Sequence, residues 1–274
     1  MKGKKVNGEI CSYLGEELRN MEILQKYDRE SVIGSPTYWK ISNLGIVKYC
    51  HDYDSSLLAV IKQKALDLKS QFAHNMHKNH TYIRGAQKYI PEILELHHDP
   101  QRLAQLEALA GTSLEPYPIS VITSSLTYMS PTDGAIDWHS DGTPVAEIIP
   151  LAIDALEGGE LQIYRGHSDI GLAELERDGS LPSEKILSVK HQVGHSVFGQ
   201  FMGLLHRVKP VTKGYRISLN MTYRSKERPY LDNNHMWYLG ADNPEFEWQE
   251  EYLNDVREKQ LPAYLNHEKE KQEV

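Results

Sequence analysis

Cysteine is nearly absent from this chain. Only Cys11 and Cys50 occur among 274 residues, too few for a disulfide framework or a thiolate metal cage. A reducing compartment fits that usage, and any metal must rest on histidine and carboxylate side chains. Long apolar runs are also missing: no stretch reaches the roughly 18 residues that a membrane-spanning helix needs. The opening MKGKKVNGEI carries charge with no apolar segment behind it, so no secretory signal is legible and a cytoplasmic location is the expectation. Basic residues are in the minority. Thirty Lys and Arg against 38 Asp and Glu leave a net charge of −8, which argues against a nucleic-acid backbone as partner. No internal repeat or low-complexity tract occurs.

What is present suffices for a core, since 40% of the residues are hydrophobic. We expect a single domain over residues 1–274, with a mainly helical support region over 1–115, a β-rich core over 116–226 and a tail or lid over 227–274. Leu57, Ile61, Ala65, Leu68 and Phe72 recur at helical spacing after Asp54, a capping residue. A second helix starts at Asp99-Pro100, carries Leu103, Leu106 and Ala110, and stops at Gly111. The tail from Glu245 to Val274 is rich in Glu and Lys and reads as a solvated helix or frayed end.

After EPYPIS the pattern changes to short strands, near 119–129, 144–151, 160–165, 185–190, 195–201, 205–210 and 215–224. The fold class is therefore α+β, mainly β, a sandwich or barrel with supporting helices. The last strand alternates most cleanly. Tyr215, Ile217, Leu219, Met221 and Tyr223 alternate with Arg216, Ser218, Asn220, Thr222 and Arg224. Its polar face can look at water or line the mouth of a jelly roll, and the pattern alone leaves both open.

Chance gives ~0.7 His-x-Asp pairs in a chain of this composition; three occur, at His97/Asp99, His139/Asp141 and His167/Asp169. Asp99 and Asp169 stand where a helix cap is expected. His139 and Asp141 instead lie between strands, after the turn PTDGAID and before Gly142 and Pro144, where a rigid scaffold presents ligands. In HRVKPVTKGYRISLNMTY, His206 starts one strand and Arg216 follows on the next; a hairpin through PVTKG would bring them together. Two His and a carboxylate on one face leave three positions of an octahedral iron open. A nearby guanidinium can hold a co-substrate carboxylate in a bidentate grip. His191 and His195, around the glycine turn of HQVGHS, have no such Arg and read as hairpin residues.

This ordered set resembles the Fe(II)/2-oxoglutarate-dependent dioxygenases, in which HxD is followed by a distal His, then an Arg, then xS, here Ser218. The resemblance covers about residues 119 to 224, and HRVKPVTKGYRIS is similar to the distal segment of the prolyl-hydroxylase-like branch. It implies a double-stranded β-helix, or jelly roll. It also implies Fe(II) on His139, Asp141 and His206, 2-oxoglutarate held at its distal carboxylate by Arg216 and Ser218, and O2 as oxidant. Radical halogenases of this kind lack the ligating carboxylate; Asp141 therefore favours hydroxylation over chlorination, with desaturation and ring formation left open. The stretches YIRG, GGELQIYRG and SLNMTY also resemble the branch of free-amino-acid hydroxylases and halogenases. That match implies substrate contacts at Asn220, Thr222 and Trp237, against which stand plain solvent exposure for the first two and packing for Trp237. Arg84 can grip a substrate carboxylate or form an ordinary salt bridge.

The leading expectation is a hydroxylase of an unactivated C–H bond in a small polar metabolite, such as a lysine-like free amino acid. A hydroxylase of protein or peptide side chains and a non-catalytic jelly-roll binding module are the alternatives.

Overall fold

The computed structural model describes residues 21–37, 40–75, 80–243, 245 and 247–272. Cys11 and the charged opening segment lie outside these. In chain order the elements are β1 (Ile23–Asp28), α1 (Arg29–Ile33), β2 (Leu44–Cys50), α2 (Ser55–Phe72), β3 (His74–Asn75), β4 (Thr81–Arg84), α3 (Glu92–His97), α4 (Pro100–Ala110), β5 (Leu114–Pro116), α5 (Ser120–Thr123), β6 (Ser124–Met129) and β7 (Ile136–His139). There follow β8 (Val145–Gly158), β9 (Leu161–Tyr164), α6 (Ser168–Asp178), β10 (Ile186–Val189), β11 (His195–Gly199), β12 (His206–Val208), β13 (Val211–Ser225), α7 (Met236–Asp242), α8 (Gln249–Asp255) and α9 (Leu261–Gln272).

The strands form two antiparallel sheets. The larger runs β1-β2-β11-β8-β13-β6-β4-β3, with β5 also pairing β13; the smaller runs β10-β9-β12-β7. Alternation on the large sheet separates its two faces. Ile217, Leu219, Met221 and Tyr223 of β13 share a core with Ile61 and Ala65 of α2, Ile93 of α3 and Leu106 and Leu109 of α4. On the other face, Ile46, Ala146 and Val197 pack against Leu161, Ile163, Leu187 and Val189 of the small sheet. The layers are thus helices, large sheet, small sheet. Burial on both faces of the middle sheet is what stabilises such an arrangement.

The helix ends follow from local chemistry. Asp54 accepts from the amides of Ser56 and Leu57, and Asp99 from those of Gln101 and Arg102, each satisfying donors that a helix start leaves open. Gly111 ends α4 with φ +71°. At α6 the expected roles are exchanged: His167 is the cap, accepting from the Asp169 amide, and Asp169 sits in the first turn.

Three further expectations need correction. The first half is not only helical: β1 to β5 all belong to the large sheet, and β2 lies inside it. Next, His206 and Arg216 are not joined by a hairpin. β12 pairs with β7 and β9 in the small sheet, whereas β13 pairs with β8, β6 and β5 in the large one; the chain crosses between sheets around Lys209-Pro210. Finally, the tail is not wholly solvated. Trp248 is buried, and Arg224 of β13 donates to Asp255 Oδ2 and Oδ1 at 2.5 and 2.7 Å, which fixes the end of α8 to the sheet. No helix among the described residues is long and apolar enough to cross a membrane.

Candidate functional site

His139 ends β7 and His206 begins β12, and antiparallel pairing sets these two residues directly opposite each other. Their rings lie 4.3 Å apart. Asp141 follows two residues after His139, with its amide bonded to the Phe201 carbonyl at 3.2 Å. Its Oδ1 stands 3.3 Å from His139 Nε2 and 3.6 Å from His206 Nε2. Ligand atoms from the three residues all lie within 4.8 Å of one another, the only such group among the described residues.

This set fits a metal. Cis ligands about 2.1 Å from an octahedral ion are about 3.0 Å apart, close to the two separations found. Each imidazole is turned by a backbone carbonyl: His139 Nδ1 lies 2.6 Å from Asp137 O and His206 Nδ1 2.8 Å from Leu204 O. An Nδ1–H donated to a carbonyl leaves Nε2 as the metal-facing lone pair.

The triad opens into a cavity of about 170 Å³ between the sheets, and Arg216, Ser218, Asn220 and Thr222 line it as well. The polar face of β13 therefore looks inward, which resolves the ambiguity left by its alternation. Arg216 is 2% exposed. Its Nη1 donates to Gly159 O at 2.6 Å and its Nη2 contacts Met129 Sδ at 3.0 Å. No carboxylate pairs with it among the described residues, and Arg216 Nε and Ser218 Oγ are buried without hydrogen-bond partners there. Burial draws the guanidinium down to about 10, so it is still a cation near neutral pH. A buried cation without a counter-ion is costly; an anionic ligand would complete it.

Gly158 and Gly159 make that position possible. They have φ of +84° and +74°, and a Cβ on Gly158 would fall 2.2 Å from Pro210 O. Glycine at both lets β8 end sharply and turns the Gly159 carbonyl toward Arg216.

The other proposed contacts divide. Asn220 lines the cavity with Nδ2 donating to Thr127 Oγ1 at 2.7 Å and Ser125 Oγ at 3.3 Å. Thr222 also lines it, but its hydroxyl donates to Ile122 O at 2.7 Å, leaving only acceptor capacity for a ligand. Arg84 reaches the cavity from β4, its guanidinium 5.3 Å from the Tyr82 ring centre. Trp237 does not. It is 76% exposed and borders a separate shallow depression with Met236 and Gly240, while its neighbours Tyr238 and Leu239 face the main cavity. His191 and His195 stand outside the cavity, His191 after β10 and His195 at the start of β11.

Several lining residues escaped the sequence reading. Ser125 and Thr127 pair across from Asn220 and Ser218, and their alternation with Leu126 and Tyr128 was a usable signal. Asn234 comes from the loop before α7 and lies against Gly142, where a Cβ would fall 2.3 Å from Asn234 Oδ1. Asn233 N donates to Gly142 O at 3.0 Å. Nothing local announces that approach.

No family model matches the chain, and no curated protein matches it in sequence. Solved structures do match in shape. The non-haem α-ketoglutarate-dependent carbocyclase SnoK from nogalamycin biosynthesis is similar with a TM-score of 0.52 and 16% identity, over 66% of this chain and 80% of SnoK. EctD from S. alaskensis, solved with bound Fe, is similar with a TM-score of 0.51 and 16% identity, over 82% of this chain and 92% of EctD. The chain thus has the fold of the Fe(II)/2-oxoglutarate-dependent oxygenases.

Proposed function

We propose that the protein is an Fe(II)- and 2-oxoglutarate-dependent oxygenase, built on a double-stranded β-helix, that hydroxylates an unactivated C–H bond of a small polar metabolite such as a free amino acid. We further propose that it is cytoplasmic. The observation that carries this reading is one cavity holding both the His139–Asp141–His206 triad and a buried Arg216 without a carboxylate partner among the described residues.

In this reading His139, Asp141 and His206 hold the iron. Arg216 and Ser218 grip the distal carboxylate of 2-oxoglutarate, the guanidinium by a planar fork and the serine by its unused hydroxyl. Bound iron supplies oxygen activation coupled to oxidative decarboxylation of 2-oxoglutarate to succinate, chemistry that protein groups alone lack. The protein's part is positional. The carbonyls of Asp137 and Leu204 fix the imidazoles, and the apolar side chains of Ile148, Leu161 and Val208 line the cavity, limiting water there. Asn220 presents its carbonyl oxygen to a substrate N–H or O–H, since its amide nitrogen is already engaged. Arg84 offers a positive charge at the same cavity. Asp141 occupies the position that a halide ligand would need.

The test is a screen of free amino acids against short peptides for stimulated succinate formation, with products read by mass. A product heavier by one oxygen from a free amino acid is expected, with no chlorinated species in high chloride. Stimulation by peptides alone would contradict the substrate class, and a dominant chlorinated product would contradict the hydroxylase reading.

A further inference from the structure

Arg29, the first residue of α1, has no part in the roles assigned so far. It is 3% exposed. Its Nη1 and Nη2 donate to the carbonyls of Gln200 and Met202 at 3.0 and 2.8 Å, while its own amide is anchored to Asn43 O at 2.8 Å. The two carbonyls flank Phe201, and the Phe201 carbonyl is the acceptor for the Asp141 amide.

Residues 201–204 form a tight turn. Leu204 N closes it on Phe201 O at 3.3 Å, and Gly203 takes φ +78° in the third position, the conformation that favours glycine there. The carbonyl of Leu204 then meets His206 Nδ1 at 2.8 Å, and the Phe201 ring lies 5.0 Å from the His206 ring. One turn therefore supplies a backbone acceptor to each of two triad residues that belong to different segments. A shift of this turn would move Asp141 and His206 relative to each other.

We propose that Arg29 is a positioning residue for the metal centre, its guanidinium fork holding the 201–204 turn that sets where Asp141 and His206 stand. The inference rests on the metal reading above. A planar fork suits the task because it bonds two carbonyls two residues apart, which a single ammonium does less rigidly. Groups that orient metal ligands typically change metal affinity about 10–100-fold when removed, because a ligand set held loosely loses its preorganisation.

The full chain would be titrated with Co(II), following calorimetric affinity and the ligand-field absorption spectrum, with thermal melting in parallel. Arg224→Met is the control, since Arg224 is also buried and clamps Asp255 rather than the 201–204 turn. The expected result is an affinity loss of about 10–100-fold with an altered spectrum in Arg29→Met, and a smaller loss in Arg29→Lys. Arg224→Met should melt earlier yet keep the wild-type affinity and spectrum. Wild-type affinity and spectrum in Arg29→Met would overturn the proposal, as would an equal loss in Arg224→Met. If Arg29→Met does not fold, Arg29→Lys and Gly203→Ala decide. A Cβ at Gly203 would fall 2.6 Å from Arg29 Nη2, so wild-type affinity and spectrum in both variants would overturn it. A wild-type chain that takes up no Co(II) would instead fail the metal reading itself, and Arg29's role with it.

Discussion

Two buried arginines stand on opposite faces of the large sheet and meet opposite company. On the helix side, Arg102 of α4 pairs with Glu147 of β8, and both are at most 1% exposed. Tyr49 and Tyr53 donate to the same carboxylate at 2.5 and 2.6 Å. Burial alone would raise the Glu147 carboxyl, yet Arg102 and the tyrosine hydroxyls hold it below its ordinary range. There the charge is answered within the protein, although Arg102 Nε, like Arg216 Nε, has no hydrogen-bond partner among the described residues. On the cavity side, Arg216 has a carbonyl and a thioether but no carboxylate among the described residues. Arg29 also lacks a carboxylate, but its fork is spent on two carbonyls away from the cavity; a buried charge that faces a cavity with donors to spare is the one that points to a ligand.

The contrast can be broken from either side. Arg102→Met would leave the Glu147 charge buried and unpaired, at a cost of about 3–5 kcal/mol. Denaturant unfolding should show that loss, while the affinity of the remaining folded protein for 2-oxoglutarate stays the same. Arg216→Met should do the reverse. It removes an uncompensated buried cation, so stability without ligand should hold or rise. Affinity for 2-oxoglutarate should fall by about 30-fold or more, equivalent to about 2 kcal/mol. A large stability loss in this variant, with calorimetric affinity intact, would place Arg216 with the fold.

A smaller effect sharpens the helix side. His97 is buried, with Nε2 lying 3.2 Å from Thr222 O, and burial followed by the nearby Arg102 charge draws it down to about 3. In the unfolded chain it titrates near about 6.5, so between those values the unfolded state binds a proton that the native state refuses. Its contribution is full above pH ~6.5 and is lost as pH falls toward ~3, at up to about 1.4 kcal/mol per pH unit. His97→Gln keeps a donor for Thr222 O and does not titrate. Its stability should therefore fall less steeply with acid than wild type; parallel pH profiles would show that His97 does not contribute.

What was legible in the sequence follows how local each feature is. The His139/Asp141 pair could be singled out because its flanks are turn residues, whereas Asp99 has a cap to make. The inward face of β13 was visible as an alternation. Its direction was not, because only the small sheet decides which face is covered. The expected hairpin failed for the same reason: sequence proximity of β12 and β13 says nothing of the crossing near Lys209-Pro210. In the first half, LGIVKYC reads as a short apolar run that length alone separates poorly from helix. Its place inside the large sheet depends on β11, nearly 150 residues later. The family resemblance implies Trp237 as a substrate contact, but burial is set by the turn of α7, which directs Tyr238 and Leu239 toward the cavity instead.

The most direct test is calorimetric titration of 2-oxoglutarate into the Fe(II)-loaded protein without oxygen, beside His206→Ala. Wild type should bind one equivalent, and the variant should bind both iron and 2-oxoglutarate far more weakly. Equal 2-oxoglutarate binding in the two proteins, or none in iron-loaded wild type, would contradict a cavity built to hold iron and 2-oxoglutarate together.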